Sequence, residues 1–500
     1  MKVLIHQLLL PLILPLAIHF KRITMSLFSE ITYNNIKKYF GYQPTSKQDI
    51  LINNLAHFID DKNDRSLFIL RGYAGTGKTT IISALVKYLY KEKKNFRLMA
   101  PTGRAAKVLS KYSGFRASTV HRSIYFARTG NSGGIILRLQ ENKFSNAIFI
   151  IDEASMIPDD TSSSKGGGRN LLYDIMEYVY NNKNCKLIFI GDTAQLPPVG
   201  IPISPALDKD YLRNAFHLNI TDIELDEVVR QNEQSGILYN ATLLRENINS
   251  ENFKPPFFDI YGQKDLINLP GVELLDELVS AYDFQGFDNT VIITRSNKRA
   301  NIYNREIRNR VLFREEKINA GDYLMVVKNN YFWLEDNNEA GFLANGDIIE
   351  LMSIHKTEEL YGFNFADVSV RLVDYPNAEE VELKILLDAI EVEAPSLSYE
   401  ENNKLYNAVM EDYMDIPQKA KRLKELKENP YFNAVQIKFA YALTCHKTQG
   451  GQWHTVFVDQ GYVTEEKMDK EYLRWMYTAL TRATDKVFLI NFPESLMKDA

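Results

Sequence analysis

The sequence predicts an α/β protein with two doubly wound parallel-sheet domains, a small hairpin inserted in the first and a β-barrel with a helical extension inserted in the second. Three observations carry that prediction. Short apolar runs at 67–70, 97–100, 147–151 and 187–190 each lead through a polar loop, the pattern of buried parallel strands joined by helical crossovers. One such loop, Gly72–Thr79 with the sequence GYAGTGKT, sits on the first strand-to-helix turn. After about residue 237 a second set of runs begins without a comparable loop, and an acidic block at 331–432 interrupts it with 9 Lys and Arg against 22 Asp and Glu.

The chain has 500 residues, too many for one core, so two to four domains are expected. Hydrophobic and charged fractions of 45% and 25% are those of an ordinary globular protein. Cys185 and Cys445 stand far apart with no Cys/His cluster near them, so neither a disulfide framework nor a zinc site is implied, and a reducing cytoplasm fits. The net charge of −5 argues at first against a nucleic-acid partner. Outside the acidic block, however, the chain holds 50 Lys and Arg against 42 Asp and Glu. Residues 1–24 have a basic start, an apolar run and a basic end, like a leader or anchor. Pro11 and Pro15 interrupt that run and no small-residue cleavage site follows. We therefore expect Met25 to be the true start, and no membrane association.

The expected divisions are 1–42 as an N-terminal extension, 43–236 as the first sheet domain with a hairpin at 121–146, 237–330 with 433–500 as the second, and 331–432 as the barrel and helical insert. In the phosphate loop, the glycines let several N–H groups and a helix N-terminus converge on one anion, Lys78 adds a point charge, and Thr79 offers a hydroxyl to Mg²⁺. Glycines and a lysine can merely turn a corner, but a strand before and a helix after mark a nucleoside triphosphate site. Upstream, Gln48 follows Thr45 and Ser46 at capping-box spacing; its amide could equally read a base, and both roles can coexist. Thr102, Gly103 and Arg104 open a second loop at the carboxyl edge of the sheet, where ligands bind in such folds.

Asp152 and Glu153 end a continuous apolar strand. Two adjacent carboxylates there are expensive unless they hold a metal or move protons, so Asp152 is expected to anchor Mg²⁺ and Glu153 to polarise the attacking water. Gln195, just past the next strand, is in reach of a γ-phosphate, on a loop stiffened by Pro197 and Pro198. In the second domain, Asn297 is expected to cap a helix, Val435–Leu443 to resume the sheet, and 404–427 to be helical. Arg482 alone would read as surface ion-pair material.

Taken together and in order, GYAGTGKT, APTGRAAK, STVHR, IIDEAS, GDTAQLPPV, EVVRQ, YALTCHKTQG and YTALTRA resemble a superfamily 1 helicase of the RecD and Dda branch, class 1B, an AAA-type P-loop ATPase. The resemblance covers about residues 43–491. It implies two RecA-like domains with ATP and Mg²⁺ in the cleft between them. By resemblance, Gly72, Ala74, Gly75, Thr76, Gly77, Lys78, Thr79 and Thr80 form the nucleotide cradle, with Gln48 reading adenine. Thr79 and Asp152 hold the metal. Glu153 is the catalytic base, Gln195 the γ-phosphate sensor, and Arg230 and Arg482 the arginines that reach the γ-phosphate. Single-stranded DNA is implied across Thr102, Arg104, Thr119, His121, Pro197, His446 and Thr448. Hydroxyls, arginine and loop backbone grip phosphates without reading bases. The hairpin near Asn131 resembles the strand-separating pin of the branch, though no aromatic stands at its turn, and the acidic insert resembles its Src-homology-three-like barrel.

The expected function is therefore an ATP-dependent DNA helicase acting on single-stranded, duplex and forked DNA in repair, recombination or replication. By analogy it moves 5′ to 3′, as a monomer in the company of other repair or replication proteins. An RNA helicase of the same superfamily is an open alternative, because a phosphate grip is largely shared. A nucleotide-switched scaffold without translocation is another; the pairing of Glu153 with Arg482 speaks against it.

Overall fold

The computed structural model of the protein describes residues 28–129, 135–159, 169–201, 203–229, 235–250, 254–334, 342–375 and 378–498. The expectations for residues 1–24, the hairpin turn around Asn131, most of the 158–170 loop and Arg230 lie outside them.

The first domain contains β1 (Ser66–Gly72), β2 (Asn95–Ala100), β3 (Ala117–Thr119), a hairpin of β4 (Tyr125–Thr129) and β5 (Ile135–Leu139), then β6 (Ala147–Ile151), β7 (Lys186–Gly191) and β8 (Asn219–Leu225). Six of these form one parallel sheet in the order β3-β2-β6-β7-β1-β8, and the hairpin stands apart as an antiparallel pair. Every residue of β6 and β7 is buried, as the apolar runs 147–151 and 187–190 require of strands covered by helices on both faces.

The second domain contributes β9 (Leu266–Leu269) and β10 (Thr290–Thr294), and the chain then leaves for a barrel of β11 (Tyr323–Val326), β12 (Ile348–Leu360), β13 (Phe363–Leu372), β14 (Val381–Leu386) and β15 (Val435–Phe439). It returns through β16 (Ala442–Thr444), β17 (Trp453–Asp459) and β18 (Ala483–Ile490), giving a second parallel sheet in the order β16-β10-β17-β18-β9. The fold class is thus the expected one, two parallel α/β sheets with a closed five-stranded barrel.

Three details differ from expectation. The run Val435–Leu443 does not resume the sheet as one strand; 435–439 closes the barrel and only 442–444 joins the sheet. Buried Tyr441 sits at the division, its hydroxyl donating to Asp322 Oδ1 (3.0 Å) and accepting from Arg314 and from the Tyr323 N–H, which holds the chain between two sheets. The barrel therefore runs past both ends of the acidic block. The helix expected over 404–427 is two helices, Tyr399–Glu411 and Lys419–Glu428, because Pro417 in the connection cannot continue a helix. Both pack on the barrel through Phe363, Phe365, Leu405, Val409 and Leu426. Ser296, not Asn297, caps the helix Asn297–Glu306, its Oγ accepting from the Arg299 N–H.

The largest core crosses the domain boundary. Tyr73, Ala194 and Leu196 from loops of the first domain pack with Trp453, Leu473, Trp475 and Tyr477 of the second. The loops that leave the carboxyl edge of the first sheet are thereby seated against the second domain.

Candidate functional site

Strand β1 delivers the phosphate loop to the carboxyl edge of its sheet. Gly75 and Gly77 take φ of +74° and +84°, backbone that a side chain rarely tolerates. A Cβ on Gly77 would also stand 2.6 Å from Gln48 Nε2. Lys78 begins the helix Lys78–Lys91, and its ammonium donates to the carbonyls of Gly72 (2.6 Å) and Tyr73 (2.7 Å). Thr76 is fully buried and donates to the Tyr73 carbonyl.

Gln48 does complete a capping box. Thr45 caps the helix Ser46–Asp60, and the Thr45 N–H donates to Gln48 Oε1 at 3.0 Å. The same buried amide donates from Nε2 to the Thr76 carbonyl at 3.0 Å, so it braces the phosphate loop from below.

At the end of β6, Asp152 accepts from the Tyr112 hydroxyl and from the Glu153 N–H (2.9 Å). Burial, with the adjacent Glu153 carboxylate, pushes its pKa up to about 6. Glu153 adopts left-handed backbone at φ +53°, ψ +36°, which costs a non-glycine residue about 1–2 kcal/mol. Arg482, from the turn between the helix Lys470–Leu480 and β18, lies across the domain boundary with Nη1 3.6 Å from Glu153 Oε1. Gln195 is buried, and its Oε1 has no hydrogen-bond partner.

These groups line one cleft of about 550 Å³ between the domains, in which Ala74, Gly75, Gly77, Lys78, Thr79, Thr80, Asp152, Glu153, Gln195 and Arg482 meet. Gly72 stays at the strand end, where a Cβ would press within 2.9 Å of the Lys78 stem. The donor set fits Mg²⁺. Thr79 and Asp152 share the cleft, and among the described residues Asp152 has no ion-pair partner. That ion characteristically takes one or two protein oxygens and completes its shell with water and phosphate.

The sequence reading missed Tyr477. This buried residue of the second domain accepts from the Ala74 N–H of the phosphate loop (2.9 Å) and donates to Asp192 Oδ2 (2.7 Å) at the end of β7. From Tyr472 to Leu480 every residue of its helix but Arg474 is buried, so nothing in the local pattern distinguishes it from core.

A groove of about 1070 Å³ crosses the opposite side of the domain boundary. Thr102, Thr119, His121 and His446 line it. Thr102 Oγ1 accepts from the Ala105 N–H and Thr119 Oγ1 from the Arg122 N–H. Each threonine thus caps a helix and keeps its own proton to donate. Burial lowers the pKa of both histidines, which makes them neutral contacts. Three other expected contacts lie elsewhere. Arg104 stacks on Trp453 (4.0 Å) and donates to the Asp288 carbonyl. Pro197 lines a neighbouring cavity beside Gln195. Thr448 is fully buried and donates to the Cys445 carbonyl. In their place the groove takes Lys447 of the motif YALTCHKTQG from the second domain, and Lys328, Asn329, Phe342 and Asn345 from the barrel, which no motif marks.

Comparison with known proteins matches residues 55–255 to an AAA domain family and residues 439–490 to the UvrD-like helicase C-terminal domain. The uncharacterized protein R530 of Acanthamoeba polyphaga mimivirus is 25% identical, over 88% of this chain and 98% of its own length. The ATP-dependent RecD2 DNA helicase of Deinococcus radiodurans is 28% identical over 40% of this chain, and the ATP-dependent DNA helicase dda of Enterobacteria phage T4 is 30% identical over 33%. This chain spans only 24% and 34% of those last two proteins.

Proposed function

The chain belongs to the superfamily 1B helicases of the RecD- and Dda-like branch, and from that premise we propose that it hydrolyses ATP to move along single-stranded DNA, 5′ to 3′, opening duplex or forked DNA ahead of it. The observation that carries this reading is Arg482 of one domain facing Glu153 of the other across the cleft that holds Lys78 and Thr79. A motor needs that arrangement, because turnover then depends on how the two domains sit.

Lys78 exchanges the carbonyls of Gly72 and Tyr73 for phosphate oxygens, and the N–H groups of the loop complete the cradle. Mg²⁺, held by Thr79 and Asp152, would neutralise phosphate charge when bound. Glu153 accepts the proton of the attacking water, oriented by the open acceptor of Gln195. Arg482 balances the charge that develops on the transferred phosphoryl group, a contribution on the order of 10³-fold or more in rate. Gln48 contacts adenine while its other groups hold the loop, and by resemblance Arg230 is the second arginine assigned to the γ-phosphate. On the far side, the capping hydroxyls of Thr102 and Thr119, the histidines and Lys447 grip the strand through its phosphates, independent of base identity.

We place this work in DNA repair, recombination or replication, and in the cytoplasm, where two free, buried cysteines suit a reducing milieu. Among the described residues no helix is long and apolar enough to cross a membrane.

Duplexes with a 5′ tail, a 3′ tail or none, made in DNA and in RNA, test the proposal. ATP-dependent opening from 5′-tailed DNA is expected, with strand-stimulated turnover lost in Lys78→Ala and lowered about 10³-fold in Arg482→Ala. Opening only from 3′ tails would reverse the polarity, and equal opening of RNA would broaden the substrate. Unchanged turnover in Arg482→Ala would sink the reading of the cleft.

A further inference from the structure

The groove does not end at the second domain. Lys328 and Asn329 line both the groove and a second cavity of about 420 Å³, set between the barrel and the helices Tyr399–Glu411 and Lys419–Glu428. Tyr331, Tyr406 and Phe432 stand half-buried in its wall. Among the described residues no carboxylate lines it, although 331–432 as a whole carries 22 acidic against 9 basic residues. At the junction of the two spaces the Tyr331 ring lies against Phe342, centroids 4.6 Å apart and planes 34° from parallel. Phe342 faces the groove and Tyr331 the cavity.

Charge follows the same line. The exposed Lys328 ammonium donates to Asn402 Oδ1 at 3.1 Å, and Lys447 donates to Asn345 Oδ1. Among the described residues neither forms an ion pair with a carboxylate. One lysine means little, but two without a carboxylate partner beside one groove are what a chain of phosphates meets.

We propose that the single strand continues from the groove past Lys328 and places one unstacked base in this cavity, against Tyr331, Tyr406 and Phe432. The inference rests on the reading of the groove as a strand path. The grip is by ring stacking and charge and tolerates any base, because the cavity's amides other than Asn403 are engaged within the protein. Asn402 Nδ2 donates to the Leu397 and Ser398 carbonyls, Asn433 Nδ2 to those of Lys427 and Asn429, and Gln436 pairs with the Leu397 N–H and Asn402.

The test uses the full chain without nucleotide and oligothymidylates of increasing length, with 2-aminopurine placed at successive positions. One position should report a base removed from its neighbours. Tyr406→Ala should abolish that signal and weaken binding about fivefold or more, only for strands long enough to reach the cavity, while Tyr406→Phe restores both. Lys328→Gln should lower the salt slope of log K by about one. Equal affinity of wild type and Tyr406→Ala for long strands would overturn the inference. An equal loss for strands too short to leave the groove would do the same, since the effect would then be general. A wild-type protein that binds no single strand would remove the proposed function as well.

Discussion

Asp347 shows how much a single buried carboxyl can bind to its surroundings. It is fully enclosed where the barrel meets the first domain. Oδ2 accepts from the Ala344 N–H at 2.7 Å, and Oδ1 stands 2.6 Å from where a Cβ on Gly103 would be. Gly103 opens the helix capped by Thr102, so only a glycine lets the barrel approach so closely. Burial, reinforced by Asp374, pushes the Asp347 pKa up to about 8. A carboxyl whose folded value lies above its ordinary 3.8 holds its proton more tightly in the native state. Its stabilising effect is full below about pH 4 and is lost as pH rises toward 8. Asp347→Asn should therefore flatten the fall in thermal stability over that window, raising the midpoint by a few degrees above pH 8 and little at pH 5. A melting-temperature profile against pH for the two proteins checks this; parallel profiles would show that Asp347 does not titrate there.

At the scale of the element, the helix Ser46–Asp60 is held at both ends by side chains, and its position sets that of the phosphate loop. Thr45 and Gln48 satisfy its first N–H groups, and Gln48 passes that order on to Thr76. At its other end the ammonium of Lys186, on β7, donates to the carbonyls of Phe58, Ile59 and Asp61. Burial lowers the Lys186 pKa to about 8, so the lysine sits there at some electrostatic cost in exchange for satisfying three carbonyls. Lys186→Met would leave those carbonyls unpaired, a loss of about 1–3 kcal/mol. Urea unfolding should show a lower midpoint for the variant, whereas an unchanged midpoint would mean that water replaces the ammonium freely. The capping box was legible because all its parts lie within four residues. The lysine was not, since it arrives from more than a hundred residues downstream and reads as the polar start of a strand.

For the whole molecule the decisive contacts are those between the two sheet domains. Tyr477 ties the Ala74 N–H to Asp192, Thr478 Oγ1 accepts from the Leu196 N–H at 2.9 Å, and Gln449 Nε2 donates to the Leu196 carbonyl at 2.6 Å. Groove, cleft and domain boundary thus share the loop after β7, a short mechanical route between strand and nucleotide. Tyr477→Phe keeps the ring and removes the hydroxyl, leaving Ala74 and Asp192 each short of one partner. A loss of about 1–2 kcal/mol of coupling corresponds to roughly a five- to thirtyfold drop in the ratio of strand-stimulated to basal ATP turnover, with basal turnover less affected. Steady-state hydrolysis with and without single strands measures that ratio; an unaltered one would assign the coupling to the apolar contacts alone.

The sequence by itself determined whatever depends on neighbours in the chain. Glycines at positive φ, the lysine after them, carboxylates ending an apolar strand and the order of eight motifs together defined the two-sheet architecture and nearly all of the cleft. Tertiary structure alone decided which strands pair and what else faces a site. It sent Val435–Phe439 into the barrel and Ala442–Thr444 into the sheet, turned Arg104 onto Trp453, buried Thr448, set Tyr477 against the phosphate loop, and brought Lys328 and Phe342 to the groove wall. The reason is physical: backbone hydrogen bonds are alike for every strand and burial reports only that a residue is covered, so a one-dimensional pattern encodes the element but not its partner.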